Sequence, residues 1–175
     1  ALPNADAVSP IVTALVLAAR ATHALAGDRP ADAVGLLHRA ATRAAGDSPP
    51  LAALLLGNAG TIAHEHGLDR VAARVDLEAA AAALTDTDLH VAKAELHYQL
   101  GMLEHEDAVA AGAPLRAAMH HYYTALQLVT EHSAPFLWAS AQLNLATAHL
   151  SAQMVEASDA LRTGIAIQAM RAALR

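Results

Sequence analysis

The chain of 175 residues has no cysteine, one lysine and few aromatic residues, which make up 3% of its composition. The absence of cysteine excludes disulfide bonds, thiolate zinc sites and thiol catalysis. The net charge is −6 and the arginines are dispersed, so the sequence has no basic stripe of the kind that binds nucleic acid. Isolated glycines form no phosphate-binding loop, and no serine lies in a nucleophile-elbow motif. We therefore expect neither an enzyme nor a nucleic-acid-binding protein, and no cofactor.

A convincing membrane-spanning segment is also missing from the sequence. The longest uncharged run, Ser133 to Val155, is interrupted by Gln142, Asn144, His149 and Gln153, which suits an amphipathic helix better than a bilayer span. We expect no membrane span and a cytoplasmic protein.

Hydrophobic residues make up 55% of the chain, and much of that share is alanine, the strongest helix former. Proline and glycine punctuate the sequence at intervals typical of helical hairpins, with the longest predicted link from Asp107 to Pro114. We predict an arm over residues 1–9 and eight helices in four antiparallel pairs. The pairs cover about 10–46, 50–84, 89–131 and 136–175, and the repeat domain is expected to continue beyond residue 175. In the first helix the predicted buried stripe comprises Ile11, Val12, Leu15, Val16 and Ala19.

Pairs of alanines seven residues apart recur in the second helix of each predicted hairpin. Such small residues let helices approach closely in stacked helical repeats. The pairs are Ala33/Ala40, Ala72/Ala79, Ala118/Ala125 and Ala166/Ala173.

The second pair, with Gly60, Gly67, Ala72 and Ala79, resembles the tetratricopeptide repeat (TPR). In that family a small residue lies within the first helix, glycine ends that helix, and two alanines pack the second helix. The third pair repeats the scheme with Leu100, Gly101 and Tyr122, while in the first pair Arg20 occupies the small-residue position. The segment from Pro135 to Ala146 reads P-x-x-W-A-x-x-Q-x-N-L-A, which is similar to a longer repeat variant of bacterial, especially actinobacterial, proteins.

The resemblance implies an all-α, right-handed superhelical stack, a TPR-like α-solenoid, that acts as a protein–protein interaction scaffold, adaptor or accessory subunit. Its first helices would line a concave face that binds a partner. That face lacks the basic residues that grip an acidic carboxyl terminus, so we expect a basic or apolar partner segment, or self-association. Asn58 and Asn144 occupy the family's usual asparagine position, where we expect hydrogen bonds between packed helices. The predicted partner-binding residues are Leu54, Thr61, His64, Glu65, Glu95, Tyr98, Met102, His105, Glu106, Leu143 and Thr147.

An alternative function rests on the eleven histidines. His64 and His66 end one predicted helix, and His105 and Glu106 end another, so these four residues could form a rim that binds a metal or a small ligand. Capping of the helix ends by histidine is the simpler interpretation. Some proteins with the longer repeat variant accompany redox metalloenzymes such as hydrogenases, which connects this alternative to a sensor or accessory role.

Two further features are expected to serve packing. In the run His120 to Tyr123, the four side chains point in different directions from a helix, so Tyr122 is predicted to be core and the histidines to lie at the surface or between repeats. Trp138, the only tryptophan, is predicted to anchor the packing between repeats.

Overall fold

The computed structural model describes residues 9–151 and 159–174, and these residues form eight α-helices and no β-strand. This confirms the predicted all-α class. The predicted arm lies outside the described residues, apart from Ser9, and so do residues 152–158 and 175 of the fourth predicted pair. The helices are α1 (Pro10–Ala26), α2 (Pro30–Ala44), α3 (Pro49–Glu65), α4 (Arg70–Ala83), α5 (His90–Ala111), α6 (Arg116–Leu128), α7 (Pro135–Ser151) and α8 (Asp159–Ala173).

Helices that are adjacent in sequence pack in pairs, α1 with α2, α3 with α4, α5 with α6 and α7 with α8. The chain divides into two compact units, of which the first ends at Thr87 and the second begins at Asp88. Within the first unit α2 also packs against α3, and within the second α6 packs against α7. Each unit therefore contains two helical hairpins that share a helix–helix interface.

The first helix of three hairpins ends in the same backbone conformation. A residue in the left-handed region follows each helix: Asp28 at φ 55°, Gly67 at φ 61° and Gly112 at φ 61°. The next residue then donates its backbone N–H to the carbonyl oxygen five positions earlier, at 2.8–3.0 Å. Glycine suits this conformation because it has no Cβ, whereas Asp28 adopts it at an energetic cost.

The buried residues of the second helices follow one spacing: alanine, a larger residue four positions on, and alanine three positions further. The sets are Ala33, Leu37 and Ala40 in α2; Ala73, Leu77 and Ala80 in α4; and Ala118, Tyr122 and Ala125 in α6. The alanine pairs predicted in α2 and α6 are confirmed by these burials. In α8, Ala166 is buried and Ala173 is half-buried. The pair predicted in α4 was wrong by one residue, because Ala72 and Ala79 are exposed.

Two glycines allow these second helices to approach the first. A Cβ on Gly60 would lie 2.9 Å from both the Ala73 carbonyl oxygen and Leu77 Cγ, and one on Gly101 would lie 2.6 Å from Tyr122 Cε1. The prediction of small residues at both positions is therefore confirmed.

In the first hairpin the small-residue position was assigned wrongly. Arg20 is exposed, and the neighbouring Ala21 is buried at 2% exposure. The long, charged side chain keeps its head in water, while a small residue one position along meets α2.

The predicted link from Asp107 to Pro114 is mostly helical. Helix α5 continues to Ala111 before Gly112 ends it, because the intervening alanines and valine are compatible with a helix and none breaks it. Helix α6, by contrast, ends at Leu128, before the predicted end near Glu131.

The predicted buried stripe of α1 was also wrong. The residues that are buried are Ala14, Leu17, Ala21 and Ala24, whereas Val12, Leu15 and Val16 are 49–55% exposed. Since α1 is apolar on nearly all sides, hydrophobicity alone could not choose its packed face.

Within the described part of the chain, no helix is both long and apolar enough to cross a bilayer.

Candidate interaction surface

The partner-binding residues predicted in the first unit lie on α3. Leu54 and Thr61 are half-buried, and Glu65 is exposed at the end of the helix. His64 is only 7% exposed, so its side chain has little surface for a partner. Of this group, Glu65 offers the most accessible side chain. Asn58 on the same helix is exposed and has no side-chain hydrogen bond among the described residues, so it does not make the hydrogen bond between packed helices that we expect there.

In the second unit, the predicted residues lie on α5 and α7. Tyr98, Met102 and His105 are half-buried, and the first two pack against a buried cluster that contains Ala118, Tyr122 and Leu145. These α5 side chains therefore form the layer between the core and the solvent.

A network of hydrogen bonds and ring contacts joins α5, α6 and α7. The Asn144 side-chain amide donates to the Tyr98 hydroxyl at 3.1 Å, which confirms the helix-packing role predicted for this asparagine. The Tyr98 ring lies 6.1 Å from the Tyr122 ring, and the Tyr122 hydroxyl is 3.4 Å from His105 Nδ1. Each contact joins residues of two different helices, so the network fixes the relative positions of all three.

Tyr122 lies at the centre of this network and is 1% exposed, as its core prediction required. Burial raises the pKa of its hydroxyl well above the usual range, and the nearby Tyr98 and Glu106 add to the effect. The hydroxyl therefore remains protonated at neutral pH and serves as a neutral hydrogen-bonding group.

In the second unit, the accessible members of the predicted face are Glu95 and Glu106 on α5 and Leu143 and Thr147 on α7. Partial burial raises the pKa of the Glu95 carboxyl even though the residue remains exposed. A carboxylate that is partly removed from water and has an accessible face is well placed to interact with a cation.

Helix α7 carries an exposed apolar ridge, which we define as Phe136, Leu143 and Leu150. Their exposed fractions are 89%, 50% and 53%, and the residues are seven positions apart on one side of the helix. Beneath the ridge, Ala141, Leu145 and Ala148 are buried, so the helix is firmly packed on its other side. Exposed large apolar side chains in such a row are typical of surfaces that contact another molecule.

Trp138 lies near the start of α7 and is half-buried. It packs against Ala94 of α5 and against Ala125 and Val129 at the end of α6. The predicted packing role between the last two hairpins is therefore confirmed.

The histidine rim has a different local structure from the one predicted. His105 and Glu106 lie inside α5, because that helix continues to Ala111, whereas His64 and His66 are at the end of α3. The two pairs of residues are thus not equivalent helix ends. Among the side chains that the structure describes, no three histidines or carboxylates form a group that could hold a metal ion.

Several histidine contacts were not predicted from the sequence. His97 Nδ1 lies 3.1 Å from His121 Nδ1, and the Tyr123 hydroxyl lies 3.0 Å from His149 Nε2. Burial lowers the pKa of His97, with a contribution from His120, and burial also lowers that of His149. The only signal in the sequence was the density of histidines, because the pairing depends on how the helices are aligned with one another.

The comparisons with family models, with curated proteins and with solved structures find no match to this chain.

Proposed function

We propose that this chain is a TPR-like, non-enzymatic protein that acts as an interaction scaffold, adaptor or accessory subunit. The observation that supports the proposal most directly is the α7 ridge, whose three large apolar side chains are exposed on a firmly packed helix. Burial of such a ridge by a partner removes apolar surface from water, which favours association.

The proposed partner segment is apolar with basic residues. Leu143 of the ridge and Thr147 would contact its apolar part, and the exposed carboxylates Glu95 and Glu106 would attract its basic part. The Tyr98–Asn144 hydrogen bond supports the proposal, because it holds α5 and α7 in fixed positions before the partner arrives. A preorganised surface loses less conformational entropy on binding than a mobile one does.

A quantitative pull-down from the source cell tests the proposal. The wild-type chain should recover one partner in a stoichiometric amount, and Leu143→Asp should lose it because a carboxylate in the ridge opposes burial. Val71→Asp is the matched control, since Val71 is 74% exposed on α4 and lies in the other unit. Equal recovery by both variants would contradict the proposed surface.

The same variants distinguish binding of a partner from self-association. If the ridge contacts a second copy, the wild-type chain should elute at a multiple of 18.1 kDa and Leu143→Asp should elute as a monomer. Tyr98→Phe should weaken binding while preserving the ring contacts, because it removes the oxygen that accepts from Asn144.

A further inference from the structure

A cleft between α1 and α2 gathers three arginine side chains from a chain whose net charge is negative. The cleft has a volume of about 620 Å³, and we call it the arginine cleft. Arg39 and Arg43 are four residues apart on α2, which places them on one side of that helix. Arg20 lines the cleft from α1. The remaining residues that line it are Thr13, Val16, Leu17 and Thr42.

The three arginines differ from other arginines of the first unit in their contacts. Arg29 makes an ion pair with Asp32 at 3.2 Å, and Arg70 and Arg74 each interact with another group of the protein. Within the described ranges, 9–151 and 159–174, none of the three cleft arginines has a hydrogen bond or an ion pair through its side chain.

The local charge is opposite in sign to that of the whole chain. The hairpin from Pro10 to Ala44 contains four arginines and only two aspartates, which gives it a net charge of +2, against −6 for the chain. Guanidinium groups remain charged at any physiological pH, so three of them in one cleft repel one another until an anion arrives. Their planar shape suits paired hydrogen bonds to carboxylates.

The other cleft residues determine what kind of anion fits. The hydroxyls of Thr13 and Thr42 already donate to backbone carbonyl oxygens, at 3.2 and 2.9 Å, so the arginines must supply the hydrogen-bond donors. Val16 lines the cleft and is 55% exposed, and Val12 and Leu15 continue this apolar strip along α1. A ligand that carries carboxylates beside apolar side chains would match both the arginines and the apolar strip, whereas inorganic phosphate would match the arginines alone.

We propose that the arginine cleft binds an acidic amphipathic segment of a partner protein. Carboxylates of the segment contact Arg20, Arg39 and Arg43, and its apolar side chains cover Val12, Leu15 and Val16. The inference rests on the proposed role of the chain as an interaction protein, but it does not depend on the α7 ridge, which serves a partner segment of opposite charge.

Fluorescence anisotropy with a designed probe tests this site on the full chain. The probe is a fluorescein-labelled peptide of about 16 residues, in which leucines recur at helical spacing and glutamates fill the other positions. Its matched control has every glutamate replaced by lysine. The glutamate peptide should bind with a dissociation constant below about 1 mM, and the lysine peptide should not bind.

Substitutions then locate the binding. Arg39→Gln with Arg43→Gln should weaken binding of the glutamate peptide by about tenfold, because two charge-assisted contacts are lost. Val12→Ser with Val16→Ser should also weaken it. Arg116→Gln is the matched control, since Arg116 is exposed on α6 in the other unit, and it should leave binding unchanged. Circular dichroism of each variant confirms that it is folded.

Several results would overturn the proposal: no binding of the glutamate peptide, equal binding by the double arginine variant, or full competition by inorganic phosphate at equal ionic strength. Tighter binding of a short oligonucleotide would do the same. The pull-down that tests the proposed function can succeed or fail independently of the peptide-binding assay. Loss of the cellular partner on Leu143→Asp, together with no peptide binding, would leave the α7 ridge supported and the arginine cleft refuted.

Discussion

Replacing Gly101 by alanine should destabilise the second unit, although alanine is the better helix former. The new Cβ would lie 2.6 and 2.7 Å from two carbons of the Tyr122 ring and 3.3 Å from His121 Cβ. The ring has no free space to move into, since Tyr122 is 1% exposed and its hydroxyl is close to His105. Overpacking of this kind costs about 1–3 kcal/mol, and the gain in helix propensity offsets about 1 kcal/mol. With the upper end of that range, the net loss is about 2 kcal/mol.

Urea denaturation followed by tryptophan fluorescence measures this loss. Trp138 is the only tryptophan and lies in the second unit, where it packs against Ala94, Ala125 and Val129. Gly164→Ala is the matched control, because Gly164 is in α8 and a Cβ there would meet no atom within 4 Å. It should gain about 0.5–1 kcal/mol from helix propensity alone.

A double-mutant cycle identifies the cause of the loss. In a Tyr122→Leu background the aromatic carbon closest to the new Cβ is absent, so the cost of Gly101→Ala should shrink. If Gly101→Ala stabilised the unit as much as Gly164→Ala, the close approach of α6 to α5 at this position would be refuted.

Three further predictions concern a helix end and the groups with shifted pKa values. Asp28→Gly should raise the free energy of unfolding by about 0.5–1 kcal/mol, since glycine adopts φ 55° without steric strain, and thermal denaturation measures this. Burial lowers the pKa values of His97 and His149 below 6.5, so the unfolded chain takes up protons more readily than the folded chain. The free energy of unfolding should therefore fall as the pH drops from about 7 to 5. Urea denaturation at each pH should show a smaller fall in the His97→Gln, His149→Gln variant. Burial raises the pKa of Glu95 above 4.5, which disfavours its carboxylate in the folded state. Glu95→Gln should therefore increase the free energy of unfolding at about pH 7 but not at about pH 4. Glu78→Gln, at an exposed position on α4, is the control and should change the free energy of unfolding at neither pH.

The alanine spacing was enough to predict the packed positions in a helix where only one pair of alanines is seven residues apart. In α6 that pair is Ala118 and Ala125, since Thr124 stands seven positions after Ala117, and both alanines are buried as predicted. In α4, by contrast, alanines occupy both 72 and 73 and again run from 79 to 83, so two registers fit the same pattern. The position of Gly60 selects the second register, because it brings the Ala73 carbonyl oxygen and Leu77 against the glycine. That contact is tertiary, and no local rule contains it.

The candidate surface was predictable to a similar extent. Spacing along one helix places Glu95, Tyr98 and Met102 on one side of α5, but it did not reveal that Tyr98 is also a packing residue bonded to Asn144. The arginine cleft was missed because Arg20 lies on a different helix from Arg39 and Arg43. Such a convergence depends on the pairing of antiparallel helices, so it appears only when the hairpin is assembled.

An interior made largely of alanine has a consequence for how this sequence tolerates mutation. Ala33, Ala73 and Ala118 each have 0% exposure at equivalent positions of three hairpins, and each has only one side-chain carbon to lose. Truncation to glycine therefore removes little packing, whereas enlargement to valine or leucine must push two helices apart. In a saturation library, these positions should reject larger hydrophobic residues more strongly than smaller ones. The size of the side chain, rather than its hydrophobicity, therefore limits which residues these positions accept. Replacement of alanine by valine or leucine, which a hydropathy scale treats as conservative, would be among the most destabilising changes.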